Sequence, residues 1–131
     1  MEPGSDRLRA LVDTGSGSRS LVAAGNLADG DWHHVALTRS DESVVLYIDG
    51  AAVATAENLA GSTSAGAQRG VYVGQRPDGV NPLVGAVGEV YLYDRALSAE
   101  DVAALASDNG AAEGGQVLHL ALEELIRGLP R

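Results

Sequence analysis

Three groups of residues in the chain have the types and spacing that chemistry would need. The first is Asp13-Thr14-Gly15, inside the stretch "RALVDTGSGS". An Asp-Thr-Gly turn after an apolar strand is how an aspartic protease places a catalytic carboxylate. Two such turns must face each other, so that the carboxylates share one proton and split their pKa values. With 131 residues, the chain would have to use Asp13 in a dimer, as a retroviral-type aspartic protease does. That fold also needs a late strand with two apolar residues and a glycine beneath the catalytic turn, typically followed by arginine. Here Leu83-Val84-Gly85 is followed by alanine. The plainer reading is a hairpin turn in which Asp13 and Gly15 supply the backbone angles.

The second group is Glu89, Tyr91 and Tyr93. Residues two apart on a strand share a face, so these three oppose Val90 and Leu92. An aromatic ring stacks on the C–H face of a pyranose, and a phenol adds a polar handle. Tyr91 and Glu89, with Arg76 and Asp78 from the loop ahead of them, form the candidate ligand-binding set. Tyr47 and Tyr72 are the other tyrosines, and packing is the competing role for all four. Glycoside hydrolysis needs a pair of carboxylates flanking the bond. Gly88 stands where the nearest partner of Glu89 would be, so no catalytic residue is assigned.

The third group is metal-ligating. His33 and His34 are adjacent, and adjacent strand residues point to opposite faces, so they cannot share one ion. His119 is remote in sequence, and the further ligands of a zinc site are not in evidence. Calcium takes about six to eight oxygens. Asp13, Asp78, Asn81 and Asp94 are loop oxygens of the right kind, and Asp78 and Asn81 are the candidate metal ligands. Solvated turn residues are the competing reading.

Composition narrows the field. There are 18 acidic residues against 9 basic ones, all arginine, for a net charge of −9. Nucleic acid and anionic membranes both call for a basic footprint, so neither is expected as a partner. There is no cysteine, which excludes disulfides and thiol chemistry. No apolar run approaches the roughly 20 residues of a membrane helix. The first residues lack a signal core, so a secretion signal would lie upstream. Seventeen glycines and no phenylalanine point to short strands joined by many turns.

The elements follow from the pattern. Residues 7–12 and 20–24 read as a hairpin. "DWHHVALTR" reads as a strand over 31–39, and "VVLYID" is the clearest strand, with Val44, Leu46 and Ile48 on one face. Asp49-Gly50 is a type I′ hairpin signal, because both central residues need positive φ. The return strand spans 51–56. Further strands are expected over 71–74 and 84–93. Ser98, with Asp101 three residues on, caps a short helix over 99–106. The tail is ambiguous: "QVLHLAL" alternates like a strand, whereas "LALEELIRGL" has helical spacing. The sum is an all-β antiparallel sandwich with one short helix.

Two stretches carry a resemblance. "DGDWHHVALTRSDESVVLYIDGAAVATA" resembles the central signature of the laminin-G-like, concanavalin A-like jelly-roll family: Trp, one or two His, Val, a turn, then Leu-Tyr-acidic-Gly. "VGAVGEVYLYDRALSAEDVAAL" is similar to its closing signature, and the two together cover residues 29–105. The chain departs at Gly88, where the family has Asp, and at Tyr91, where a basic residue is common. A full member has several more strands ahead of the Trp-His-His strand. "GGQVLHLALEE" looks like the opening strand of such a domain, found here at the C-terminus.

The resemblance implies that Trp32 and His34 brace the sandwich. It also implies a non-catalytic module that binds carbohydrate, a glycoprotein or another extracellular protein surface, within a larger secreted protein. Calcium is the cofactor that the family suggests. The expected organisation is a sandwich over residues 1–110 and a tail over 111–131. The tail either closes the sandwich or begins a further repeat. An incomplete sandwich would pair as a homodimer. A purely structural or assembly role is the alternative.

Overall fold

The computed structural model describes residues 7–62, 85–107 and 114–121. The strand expected over 71–74, with Tyr72, Arg76, Asp78 and Asn81, lies outside them.

Strands β1 (Arg9–Thr14) and β2 (Gly17–Val22) form an antiparallel hairpin in which Thr14 pairs with Gly17. The connection is only Gly15-Ser16. Neither Asp13 nor Gly15 adopts positive φ, so the turn does not use the backbone freedom expected of them. The Thr14 side chain closes it instead. Its Oγ1 accepts from the Ser16 N–H at 3.1 Å and lies 2.6 Å from the Ala60 carbonyl and 3.1 Å from that of Gly17.

A three-stranded meander follows: β3 (Val35–Ser40), β4 (Ser43–Ile48) and β5 (Ala51–Ala56), with β4 central. Asp49 and Gly50 have φ of 51° and 84°, the signs a type I′ turn requires. β3 starts four residues later than the alternation suggested. The Asp49 side chain is the reason. Its Oδ1 accepts the His34 N–H at 2.9 Å, while the Asp49 N–H donates to the His34 carbonyl at 2.8 Å. This clamp replaces ladder pairing beyond Val35.

The core forms where β2 lies against β5. Val12, Leu21, Ala23, Val44, Leu46 and Leu59 are buried together, with Leu8, Ala10, Ile48, Ala54 and Ala56 packed around them. Val12 of β1, Leu21 of β2, and Val44 and Leu46 of β4 are inward positions of alternating strands. β4 also buries Tyr47 on its other face, to 7% exposure, as a central strand covered on both sides should. Leu59 belongs to no strand. It is held by its N–H, which donates to the Glu42 carbonyl at 3.0 Å, and by Arg39, whose guanidinium donates to the Leu59 carbonyl at 2.9 Å and to that of Gly61.

β6 (Glu89–Tyr93) pairs antiparallel with β7 (Gln116–Ala121), so the first part of the tail is a strand. Gly114 and Gly115, at φ of 76° and 74°, bring the chain back beside Asp94 and Arg95. The Asp94 N–H donates to the Gly115 carbonyl at 2.8 Å, and Arg95 Nε to the Gly114 carbonyl at 3.0 Å.

Helix α1 spans Ala99–Ala106, as its caps predict, and buries Val102 completely. Ser98 Oγ accepts the Asp101 N–H at 3.1 Å, and the Asp101 carboxylate accepts the Ser98 N–H at 3.3 Å. Arg95 lies 3.2 Å from the same carboxylate, and with the Ser98 N–H it holds the Asp101 pKa below the ordinary value. Ser98→Ala removes one arm of this box. It is expected to cost about 1 kcal/mol, read as a fall in the urea midpoint at constant m-value.

Candidate functional site

The aromatic strand is built as its alternation requires. β6 is held on one edge by β7, with Tyr91 opposite His119 and Leu92 opposite Leu118. Its odd-numbered residues share one face. There the Tyr91 hydroxyl donates to the Glu89 carboxylate at 2.8 Å. The rings of Tyr91 and Tyr93 are stacked, with centroids 6.4 Å apart and planes 19° from parallel. Glu89 is exposed, and both tyrosines are half-buried. The phenol bond fixes the Tyr91 ring, and the stack fixes it again from the Tyr93 side. The result is a stiff aromatic surface with a carboxylate acceptor at its end.

The other candidate residues separate. Tyr47 is buried in the meander and is a packing residue. Asp13 sits on the exposed face of β1 opposite Ser18, while its neighbour Val12 points into the core. Arg76, Asp78 and Asn81 lie outside the described residues. Among the described residues, no group of three or more His, Asp or Glu side chains is placed to hold a metal ion.

Trp32 does not fill the sandwich as the resemblance implied. It is 71% exposed, and its six-membered ring lies along Gly88, 3.6 Å from where a Cβ would stand. The missing side chain at Gly88 makes room for this placement. The ring precedes β3 instead of belonging to it, and among the described residues no strand covers it. His34 is half-buried. Burial lowers its pKa and favours the neutral ring.

One cluster was not apparent from sequence. His33 Nδ1 lies 2.8 Å from Asp49 Oδ2, and its Nε2 lies 2.9 Å from Asp29 Oδ1. The hydrogen bond to Asp49, then that to Asp29, raises the His33 pKa from 6.5 to about 8. The Asp49 pKa is lowered, first by His33 and then by the His34 N–H. That of Asp29 is lowered, first by the Asp31 N–H and then by His33. His33 also lines a recess of about 190 Å³ with Leu8, Ala23, Leu27, Ile48 and Val53. The available signal was the spacing of Asp29 and His33, together with Asp49 at the Asp-Gly turn. Only the hairpin brings that turn back to His33.

The comparisons with known proteins agree with this architecture. A comparison with curated proteins finds no match. Among solved structures, the chain is similar to an S-layer domain-containing protein from Clostridium thermocellum, at 27% identity and a TM-score of 0.55. The match covers 76% of this chain and 51% of that one, so the chain spans about half of that solved structure. The Laminin_G_3 family model, described as the concanavalin A-like lectin/glucanases superfamily, matches residues 2–103. With that model matching most of the chain, and with antiparallel strands and one capped helix in the expected order, the protein belongs to the laminin-G-like family of the concanavalin A-like superfamily.

Proposed function

We propose that the chain is a non-catalytic binding module of an extracellular or cell-surface protein, and that carbohydrate, free or on a glycoprotein, is its ligand. The observation that carries this reading is the Glu89–Tyr91–Tyr93 face. A ring fixed by a 2.8 Å hydrogen bond and a stacked neighbour presents apolar surface beside a carboxylate. A sugar offers the complement: an apolar C–H face edged by hydroxyl donors. The family model and the likeness to an S-layer domain-containing protein support a surface-exposed setting. Arg76 and Asp78 are proposed to extend the contact, with Asp78 and Asn81 as the place for calcium.

A glycan array, run with and without calcium, tests the reading. Tyr91→Ala is expected to weaken the best glycan about tenfold, the equivalent of about 1.4 kcal/mol. Circular dichroism should show the variant still folded. Glu89→Gln should weaken it less, because the amide still accepts a hydrogen bond. Absence of any glycan signal, or undiminished binding by Tyr91→Ala, would refute the assignment. In the first case the structural-module alternative takes its place.

A further inference from the structure

We propose that His33 is a proton-operated latch that fastens the β2–β3 loop to the β4–β5 turn. Both ring nitrogens face carboxylate oxygens, Nδ1 at 2.8 Å from Asp49 and Nε2 at 2.9 Å from Asp29. Only the imidazolium has an N–H on each nitrogen; the neutral ring has one. The two bonds therefore exist together only while His33 is protonated.

The two partners are not equally anchored. Asp49 is gripped from its other side, since its Oδ1 accepts the His34 N–H at 2.9 Å and its own N–H donates to the His34 carbonyl at 2.8 Å. Asp29 sits in the loop, and its Oδ1 is already shared with the Asp31 N–H at 2.9 Å. When His33 loses a proton, the remaining N–H stays on Nδ1 with the fixed Asp49. Nε2 then presents a lone pair to Asp29 Oδ1, and two acceptors at that distance repel. The Asp29 side chain is released and the loop is freed at that point.

Among the described residues, two carboxylates act on His33. The β2–β3 loop contributes Asp29, and the β4–β5 turn contributes Asp49. The walls of the adjoining recess include Leu8, just ahead of β1, Ile48 of β4 and Val53 of β5, none of which titrates. His34 reaches the cluster only through Asp49 and is kept towards neutrality by burial. The folded pKa is raised, so the folded state binds the proton more tightly than the unfolded chain. The latch's contribution is complete below the unfolded value of 6.5 and is lost as pH rises through about 8. At neutral pH the latch is closed.

NMR titration of the intact chain tests this. The His33 ring is expected to titrate near pH 8, and the amides of Ala28 and Asp31 to move with the same midpoint. Asp29→Asn leaves the bond to Asp49 in place and should bring the ring midpoint down towards 6.5. His33→Gln should abolish the amide transition. A His33 midpoint at or below 6.5 overturns the proposal. So do stationary Ala28 and Asp31 amides between about pH 7 and pH 9. Where His33→Gln does not fold, the Asp29→Asn midpoint decides alone, and an unchanged value overturns the proposal.

Discussion

Leu46→Ala is expected to lower the unfolding free energy by about 2–5 kcal/mol. Leu46 is 1% exposed at the centre of β4, between Leu37 and Ala54 on its flanking strands. Above it are the inward residues of the β1–β2 hairpin, Val12 and Leu21. Truncation loses the transfer energy of the removed carbons and leaves a void that must partly collapse. The neighbours Val44 and Leu59 are themselves only 0% and 1% exposed and are locked in place by the ladder and by Arg39. They cannot move far into the void, which puts the loss in the upper part of that range. A thermal melt should show the midpoint falling by roughly 10 °C or more for a domain of this size. A fall of less than about 3 °C would mean that β4 does not form the centre of the core.

Gly50→Ala is the second large effect, expected at about 2 kcal/mol. Gly50 has a φ of +84°, a backbone conformation that a side chain strains. A Cβ there would also stand 3.3 Å from the Ala106 Cβ and 3.4 Å from the Ala103 Cα, both on α1. The turn and the helix are thus in contact through the absent side chain. Alanine would push α1 away from the end of the meander as well as straining the turn. Gly25→Ala is the control. Its φ of +91° imposes the same backbone penalty, but no atom lies within 4 Å of the added Cβ. Equal destabilisation by the two substitutions, in parallel urea melts, would mean that the helix contact contributes nothing.

Much of this architecture was legible in the residues. The Asp49-Gly50 dipeptide, flanked by "VVLYI" and "AAVATA", encodes its hairpin locally, because type I′ geometry needs two residues that tolerate positive φ. Ser98 and Asp101 encode the start of α1 in the same way, through two short-range hydrogen bonds. The aromatic strand follows from period-two alternation, and the Tyr91–Glu89 bond is between residues two apart. Each of these depends on neighbours within a few positions, and that is why a linear reading finds them.

Apart from the Gly15-Ser16 turn, which Thr14 closes locally, the differences involve partners distant in sequence. β3 begins at Val35 because Asp49, 15 residues on, takes the His34 N–H. Leu59 lies beyond the return strand expected over 51–56, yet it is core, because Glu42 and Arg39 hold its backbone. The resemblance implies that Trp32 braces the sandwich, yet it is exposed beside Gly88.

By itself, then, the chain's alternation and turn chemistry determined that it folds as short antiparallel strands with one capped helix, and its two signatures pointed to the laminin-G-like family. The tertiary structure alone decided that His33 would sit between two carboxylates from different turns, and that the tail strand would run beside β6. Local φ, ψ and capping preferences act over a few residues, and sequence displays them directly. Contacts between segments 16 or more residues apart depend on how whole hairpins close, and no single stretch of residues encodes that.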